Sequence, residues 1–418
     1  MAERAVPTRI AVAIALGTLL NPLNSSMIAV ALVALQREFQ VSLATSTWLI
    51  SSFYLTASVG QPLMGRLADR YGPRRVFTAG LSLVAATGVL VLFAPGFGWV
   101  VAARVLQAVG TSVGFPAGLA IIRRLAGGRP PAGTLGLISA TNAASAAFGP
   151  VLGGVLVAAF GWRGIFAVNI PLAVVGVWFA RRWLPADPAG GAPDAARAPS
   201  RFADLRALAT RRSLLGVLGE QIAIQGVFYL IFFGLPQWLE GVRGYPAAVT
   251  GLLMLPVAAL GVLLTPLAAW VVRRFGAGLS MLIGCVGLFA GGLLLRALDA
   301  GSGPVAIVAV GAVLGLPNAF NNLGLQAGLY AAAPPGQTGT AAGLFQTGRY
   351  IGAILSTVLL GAVYGGTPST PGLHRAALVV AAAAAVLAGV ALFTPASGGR
   401  HRARPASHSV PATYPPAL

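Results

Sequence analysis

The sequence predicts an all-α polytopic membrane protein, with twelve transmembrane helices in two pseudo-symmetric six-helix bundles. Three observations carry that prediction. The 418 residues are 56% hydrophobic and only 9% charged, with a mean hydropathy of +0.81. Apolar runs of about twenty residues, long enough to cross a bilayer core, recur almost from end to end. The 28 basic residues, every one an arginine, gather between those runs on alternate sides. Finally, two pieces of the first half recur in the second at one fixed spacing.

Taken in order, the spans fall at roughly 10–34, 46–65, 76–95, 98–122, 134–158, 164–183, 213–237, 247–271, 279–298, 304–328, 339–364 and 374–394. The first begins within about ten residues of the N-terminus with no small-residue cleavage site behind a short apolar core, so it reads as a retained helix. An even number of spans puts both termini on one side. Twenty-one arginines lie on that side, five on the other (Arg37, Arg163, Arg243, Arg296 and Arg375), and Arg104 and Arg349 fall inside spans. That bias places both termini in the cytoplasm and the protein in the cell (inner) membrane. Tryptophans are expected to form interfacial belts, with Trp48, Trp99, Trp162 and Trp238 at outer ends and Trp178, Trp183 and Trp270 at inner ones.

Residues 1–184 thus form an N-terminal bundle and 213–394 a C-terminal one. Residues 185–212, rich in Pro, Ala, Arg and Asp, form a cytoplasmic linker, and 395–418 a disordered tail. The halves read as repeats. Pro62-Leu63-x-Gly65…Arg70-Tyr71-Gly72 aligns with Pro266-Leu267-x-Ala269…Arg274-Phe275-Gly276, and Pro130-Pro131-x-x-Thr134 with Pro334-Pro335-x-x-Thr338, both at a spacing of 204 residues. With an even number of spans in each half, the repeats are parallel, related by an axis along the membrane normal. Arg273 replaces Asp69 in the second copy, so the two loops are not equivalent.

The composition excludes several functions. A net charge of +19 invites nucleic acid, but the arginines sit in short clusters between apolar runs rather than on one soluble surface. The three histidines, His374, His401 and His408, lie in a loop or the tail, so neither a catalytic constellation nor a metal set is assembled. A phosphate-binding Gly-x-x-x-x-Gly-Lys loop requires a lysine, and the chain has none. No enzyme activity and no cofactor are expected. The single cysteine, Cys285, lies in an apolar run and has no intrachain partner.

The stretch between the second and third runs, Gly65-Arg66-Leu67-Ala68-Asp69-Arg70-Tyr71-Gly72-Pro73-Arg74-Arg75, sets one acid among four arginines beside the membrane. It resembles the signature loop of the major facilitator superfamily, Gly-x-Leu-Ala-Asp-Arg-x-Gly-Arg-Arg, with Pro73 departing from it. The resemblance implies the major facilitator fold. It also implies a conformational latch at Gly65, Asp69, Arg70 and Gly72, in which the acid holds the halves together in the outward-open state. Read as a residue, Asp69 is placed to accept bonds from free backbone N–H groups at a helix start.

In the fifth span, Gly136…Ser145-x-x-x-Gly149-Pro150-x-x-Gly153-Gly154 resembles the motif typical of superfamily antiporters. Glycines at this spacing make a flat face for close helix contact, whether for antiport or for simple packing, and Pro150 bends the axis. In the fourth span, Arg104-Val105-Leu106-Gln107-Ala108-Val109-Gly110 resembles the superfamily's Arg-x-x-Gln-Gly-x-Gly element. Arg104 is either functional or close enough to the outer end to snorkel. The first span, Leu23-Asn24-Ser25-Ser26-Met27-Ile28-Ala29-Val30-Ala31-Leu32, resembles the opening helix of the drug–proton antiporter branch. Two departures matter. The branch has fourteen helices, and its embedded aspartate is replaced by Asn24, an amide that cannot titrate.

Only one acid, Glu220, lies well inside a span, about 10 Å from the inner end at 1.5 Å per residue. Gln221, Gln225 and Tyr229 follow it at helical spacing. The tenth span adds Asn318, Asn321, Asn322 and Gln326 on one face, and the eleventh Gln346, Arg349 and Tyr350. Such stripes cannot face lipid; they face a partner helix or a cavity, and with Asn24 they are expected to line a substrate cavity. Glu220, Arg104 and Arg349 are the candidates for ion coupling, and a permanent Glu220–Arg349 pair is the alternative.

The sequence therefore predicts a secondary active transporter working by alternating access, with amphipathic small molecules leaving as protons enter. Its expected partners are the lipid bilayer, a small-molecule substrate and protons, with no nucleic acid, and the expected state is a monomer. The rival readings are an uncoupled uniporter or metabolite carrier, or a non-transporting membrane sensor on the same fold.

Overall fold

The structure, a computed structural model, describes residues 6–126, 131–187, 212–332 and 338–393. The described residues contain twelve long helices: α1 (Thr8–Phe39), α2 (Trp48–Tyr71), α3 (Pro73–Leu92), α4 (Phe97–Ala126), α5 (Ala132–Phe160), α6 (Gly164–Trp183), α7 (Arg212–Gly241), α8 (Ala247–Phe275), α9 (Ala277–Arg296), α10 (Pro304–Ala332), α11 (Thr338–Tyr364) and α12 (Thr370–Phe393). Eleven are long and apolar enough to cross a membrane; α2, at 24 residues, falls short because Ser51, Ser52, Tyr54, Thr56, Ser58 and Gln61 dilute its apolar part. Breaks divide α4 after Thr111 and α8 at Leu264, where Thr265 begins the second segment and Pro266 sits in its first turn. All but residues 185–187 and 212 of the predicted linker, and the whole predicted tail, lie outside the described residues.

The signature stretch is not the eleven-residue loop the sequence suggested. The two helices run almost into each other, separated by Gly72 alone, whose φ of 98° favours a residue without a Cβ. Pro73 restarts the chain as the first residue of α3, where its missing N–H costs nothing. The repeat is preserved at this level. Tyr71, Leu92 and Phe160 end α2, α3 and α5, and Phe275, Arg296 and Tyr364 end α8, α9 and α11, each 204 residues later. Gly276, with φ 92°, stands where Gly72 does.

Within the N-terminal half α1 packs on α5 and α3 on α4 and α6; within the C-terminal half α7 packs on α11 and α9 on α10 and α12. Between the halves the main seams are α5 against α8 and α2 against α11. The side carrying both chain ends is here the inner side. On the outer side one hydrophobic core runs continuously through both halves, joining residues such as Leu32, Phe53 and Trp162 to Phe233, Trp238 and Leu253. Toward the inner side the core divides between the halves. One cluster lies around Ile14, Phe77 and Ile121 in the N-terminal half, and two, around Leu214, Cys285 and Leu325 and around Val271 and Phe320, lie in the C-terminal half. The halves are closed together outside and parted inside.

The aromatic belt is partly as expected. Trp48, Trp99, Trp178 and Trp270 are exposed. Trp162 and Trp238, however, are buried, and the Trp238 indole donates to Thr370 Oγ1 at 3.1 Å, so both are core residues rather than interfacial anchors.

Candidate functional site

The polar residues buried in the bundle fall into four groups. The first is inside the N-terminal half. Asn24 of α1 and Asn169 of α6 form a reciprocal amide pair, with Asn24 Nδ2 donating to Asn169 Oδ1 at 2.6 Å and Asn169 Nδ2 to Asn24 Oδ1 at 3.0 Å. Asn24 is 2% exposed. It is therefore a packing residue within one half and not, as expected, part of the cavity wall. An amide beside an apolar helix needs a partner of its own kind, and Asn169 supplies it.

Arg104 stands next to this pair. It does not snorkel. It is 1% exposed, and donates to the backbone oxygens of Leu49 and Asn24 at 3.3 and 3.4 Å and to Gln107 Oε1 at 2.9 Å. The guanidinium also lies 4.3 Å from the centroid of the Phe53 ring, a cation–π contact. Protein groups meet its needs without a carboxylate.

The second group lies where the halves meet at mid-depth. Tyr54 of α2 has its ring 5.4 Å from that of Tyr229 on α7 and 5.5 Å from that of Tyr350 on α11. Tyr229 stacks on Phe233. Gln61 Nε2 donates to the Tyr350 hydroxyl at 2.6 Å, and Arg349 Nε to the Tyr229 hydroxyl at 3.4 Å. The Tyr54 hydroxyl faces Tyr229 and Ser25 without a hydrogen bond of acceptable geometry to either.

Glu220 and Arg349, expected as a possible pair, do not meet. The described residues contain two ion pairs, Arg124–Asp187 and Arg163–Glu38. Glu220 lies nine residues toward the inner side from Tyr229, about 13.5 Å along the axis, and its electrostatic neighbour is Cys285.

The third group is the pair of stripes on α7 and α10. Gln221 and Gln225 are buried against Gly348 and Gly352 of α11, so these two of the eight expected lining residues make helix–helix contact. Gln225 also borders a small pocket with Phe228, Asn318, Asn321 and Asn322. Asn321 is fully buried against Gly284 and its Nδ2 has no partner, while Gln326 donates to Asn322. Gln346 is half-buried on α11, one turn before Tyr350.

The fourth group makes the gates. On the outer side Ser51 of α2 and Thr357 of α11 are hydrogen-bonded at 2.8 Å, and Gln36 of α1 donates to Gln237 of α7 at 3.0 Å. The fifth-span glycines divide between two neighbours. A Cβ on Gly149 or Gly153 would strike Ser26, Met27 or Val30 of α1, whereas one on Gly154 would strike the Ala247 backbone of α8. Gly251 of α8 packs in return on the backbone oxygen of Pro150. Gly136, toward the inner end, has nothing within 4 Å of such an atom and takes no part in this contact. Among the described residues no hydrogen bond or ion pair joins the halves on the inner side of Gln61 and Tyr350.

At the inner end the signature acid is not the one that meets the start of α3 in this state. Asp69 is exposed and makes no hydrogen bond or ion pair with a described residue. The acid at the start of α3 is Asp187, just beyond α6. Its Oδ1 accepts from the Arg74 amide at 3.0 Å, its Oδ2 from the Arg75 amide at 2.9 Å, and Arg124 lies 3.8 Å away. Gly65 is half-buried near Pro116; Arg70 is exposed over the Tyr71 ring; and Gly72 must be glycine because a Cβ there would enter the Asp187 carboxylate. Asp187 was missed because it lies 112 residues from its partners, in a segment that reads as linker. Asn169, Tyr54 and Gln61 were missed because one polar residue in an apolar run carries no pattern, although an embedded asparagine signals that a partner exists.

Comparison with known proteins agrees with this architecture. The family model described as Major Facilitator Superfamily matches residues 14–357. The chain is 32% identical over 404 residues to the uncharacterized MFS-type transporter YwoD of Bacillus subtilis (strain 168), covering 84% of this chain and 89% of that one. It is 31% identical over 174 residues to the tetracenomycin C resistance and export protein of Streptomyces glaucescens, covering 41% of this chain and 31% of that one. A mutant form of the nucleoside transporter NupG superposes with a TM-score of 0.74 over 92% of this chain and 99% of that one; at 16% identity the likeness is one of fold.

Proposed function

The chain belongs to the Major Facilitator Superfamily, and from that premise we propose that it exports amphipathic small molecules across the cell membrane by alternating access, drawing on inward proton flow. The observation that carries this reading is the asymmetry of the core, continuous across the halves outside and divided inside around the Tyr54–Tyr229–Tyr350 cluster. Rocking the halves about that cluster exchanges one open side for the other. The arginine bias assigns the open, arginine-rich face to the cytoplasm in this reading, and that is the side from which an exporter loads. Partial likeness to a resistance and export protein supports the direction.

Glu220 is the proton carrier in this proposal. Arginine stays charged and amides do not titrate, Asn24 is sealed against Asn169, and Glu220 is the one carboxylate toward the open side within a span. The experiment is transport in proteoliposomes with and without an imposed pH gradient, comparing the wild type with Glu220→Gln. Loss of gradient-driven accumulation with substrate exchange intact is expected. Undiminished accumulation would remove Glu220 from the coupling and favour an uncoupled carrier.

A further inference from the structure

We propose that Arg349 is the anion-binding centre of the cavity, and that the molecules carried are amphipathic aromatic acids rather than organic cations. The proposal rests on the transporter reading above and specifies its substrate.

Arg349 lies eleven residues from one end of α11 and fifteen from the other, close to mid-membrane. A charge at that depth costs several kcal/mol unless it is compensated. Of its five N–H donors, Nε makes one long bond to a neutral hydroxyl, that of Tyr229. Neither Nη group donates to a described residue, and no described carboxylate lies within 4 Å. The contrast with Arg104 is direct. Three oxygens and an aromatic face wrap that residue, and at 1% exposure it is out of reach, whereas Arg349 is half-buried at the seam between the halves.

The surroundings select further. Three tyrosine rings from both halves close on this point, and the Tyr54 hydroxyl has an unused donor. The rings are buried and touch one another, so an aromatic body would pack against them only as the halves part, while a guanidinium fork suits a planar two-oxygen head such as a carboxylate or sulfonate. A cation in the same place would meet an uncompensated like charge. The nearest embedded acid, Glu220, stands about 13.5 Å away along α7. An anion arriving at Arg349, beside the tyrosine cluster that joins the halves, supplies the missing counter-charge at the seam.

The test uses the purified full-length protein and four probes on one scaffold: 1-naphthoate, 1-naphthalenesulfonate, 1-naphthamide and (1-naphthylmethyl)trimethylammonium. Equilibrium binding is measured by calorimetry for the wild type, Arg349→Lys and Arg349→Gln, each checked as monodisperse. The two anions are expected to bind at least tenfold more tightly than the amide, and the ammonium probe not to bind. Arg349→Gln should abolish the preference for the anions and Arg349→Lys keep part of it. Equal binding of amide and acid to the wild type, preferred binding of the ammonium probe, failure of either anion to bind, or an undiminished preference in monodisperse Arg349→Gln would each overturn the proposal. The wild-type probe series stands even if a variant fails to fold. Acids that bind through Arg349 but do not move in proteoliposomes would instead overturn the transporter reading, and transported cations would overturn only this inference.

Discussion

Asp187 offers the sharpest test of how the inner end is built. Its side chain is 2% exposed and its two oxygens accept the Arg74 and Arg75 amides at 3.0 and 2.9 Å. These are two of the four N–H groups that every helix start leaves unpaired. A hydrogen bond to a charged group contributes about 1.5–3 kcal/mol, and losing a helix cap costs about 0.5–2 kcal/mol. Arg75 is exposed, so water would recover part of its bond. The Arg124 ion pair, at 3.8 Å with a one-third exposed arginine, adds little. Asp187→Ala should therefore destabilise the N-terminal half by about 2–4 kcal/mol. Asp187→Asn keeps one acceptor but loses the charge, and should cost about half as much. In a thermal unfolding assay in detergent, the alanine variant is expected to melt roughly 5–10 °C lower. Asp69→Asn is the internal control. That residue is exposed and without a partner among the described residues, so the variant's stability should stay within about 0.5 kcal/mol of wild type, while transport falls if Asp69 engages only when the inner side closes. An Asp187→Ala protein melting within a degree of wild type, or an Asp69→Asn protein destabilised as much, would refute the assignment of the two acids.

Gly153 and Gly154 are neighbours with opposite expected phenotypes. Gly153→Leu wedges α5 from α1 inside one half, where a Cβ already meets Met27 O at 3.0 Å, and should lower the folded yield. Gly154→Leu strains only the seam with α8. Overpacking of about 1–3 kcal/mol borne by the outer-closed state alone shifts the balance about 5–150-fold toward outer opening. With Cys285→Ser as background, an added Ser51→Cys should then react faster with a membrane-impermeant maleimide; unchanged labelling would show that the α5–α8 seam does not gate. Asn24→Asp restores a carboxylate beside Arg104, whose Nη2 already reaches the Asn24 backbone oxygen at 3.4 Å. The variant should fold, because Asn169 can still donate to it, and should make transport more steeply pH-dependent; a pH profile unchanged from wild type would show that this position has no route to protons.

How much of this was legible in the chain follows from what each feature needs. The number and order of spans, the side of the arginines and the 204-residue repeat are properties of composition and spacing, because a bilayer imposes length and polarity on each helix separately. The glycines of α5 announced a close contact for the same local reason: removing side chains along one face has only one structural use.

The division of that contact between α1 and α8 was not local. Gly153 and Gly154 are adjacent in the chain and differ only in direction, so the packing of twelve helices decided which seals a half and which seals the gate. The same holds for the polar groups. Asn24 and Asn169, 145 residues apart, cancel each other; Glu220 and Arg349, on contacting helices, stand about 13.5 Å apart along the bundle and do not. Asp187, in a stretch that reads as linker, takes the helix-start contact that the sequence offers to Asp69. A sequence states which groups are buried in an apolar medium and must be satisfied. Which partner satisfies each, and which, like Arg349, keeps a single long bond to a neutral hydroxyl, depends on distances across the bundle that only the folded arrangement sets.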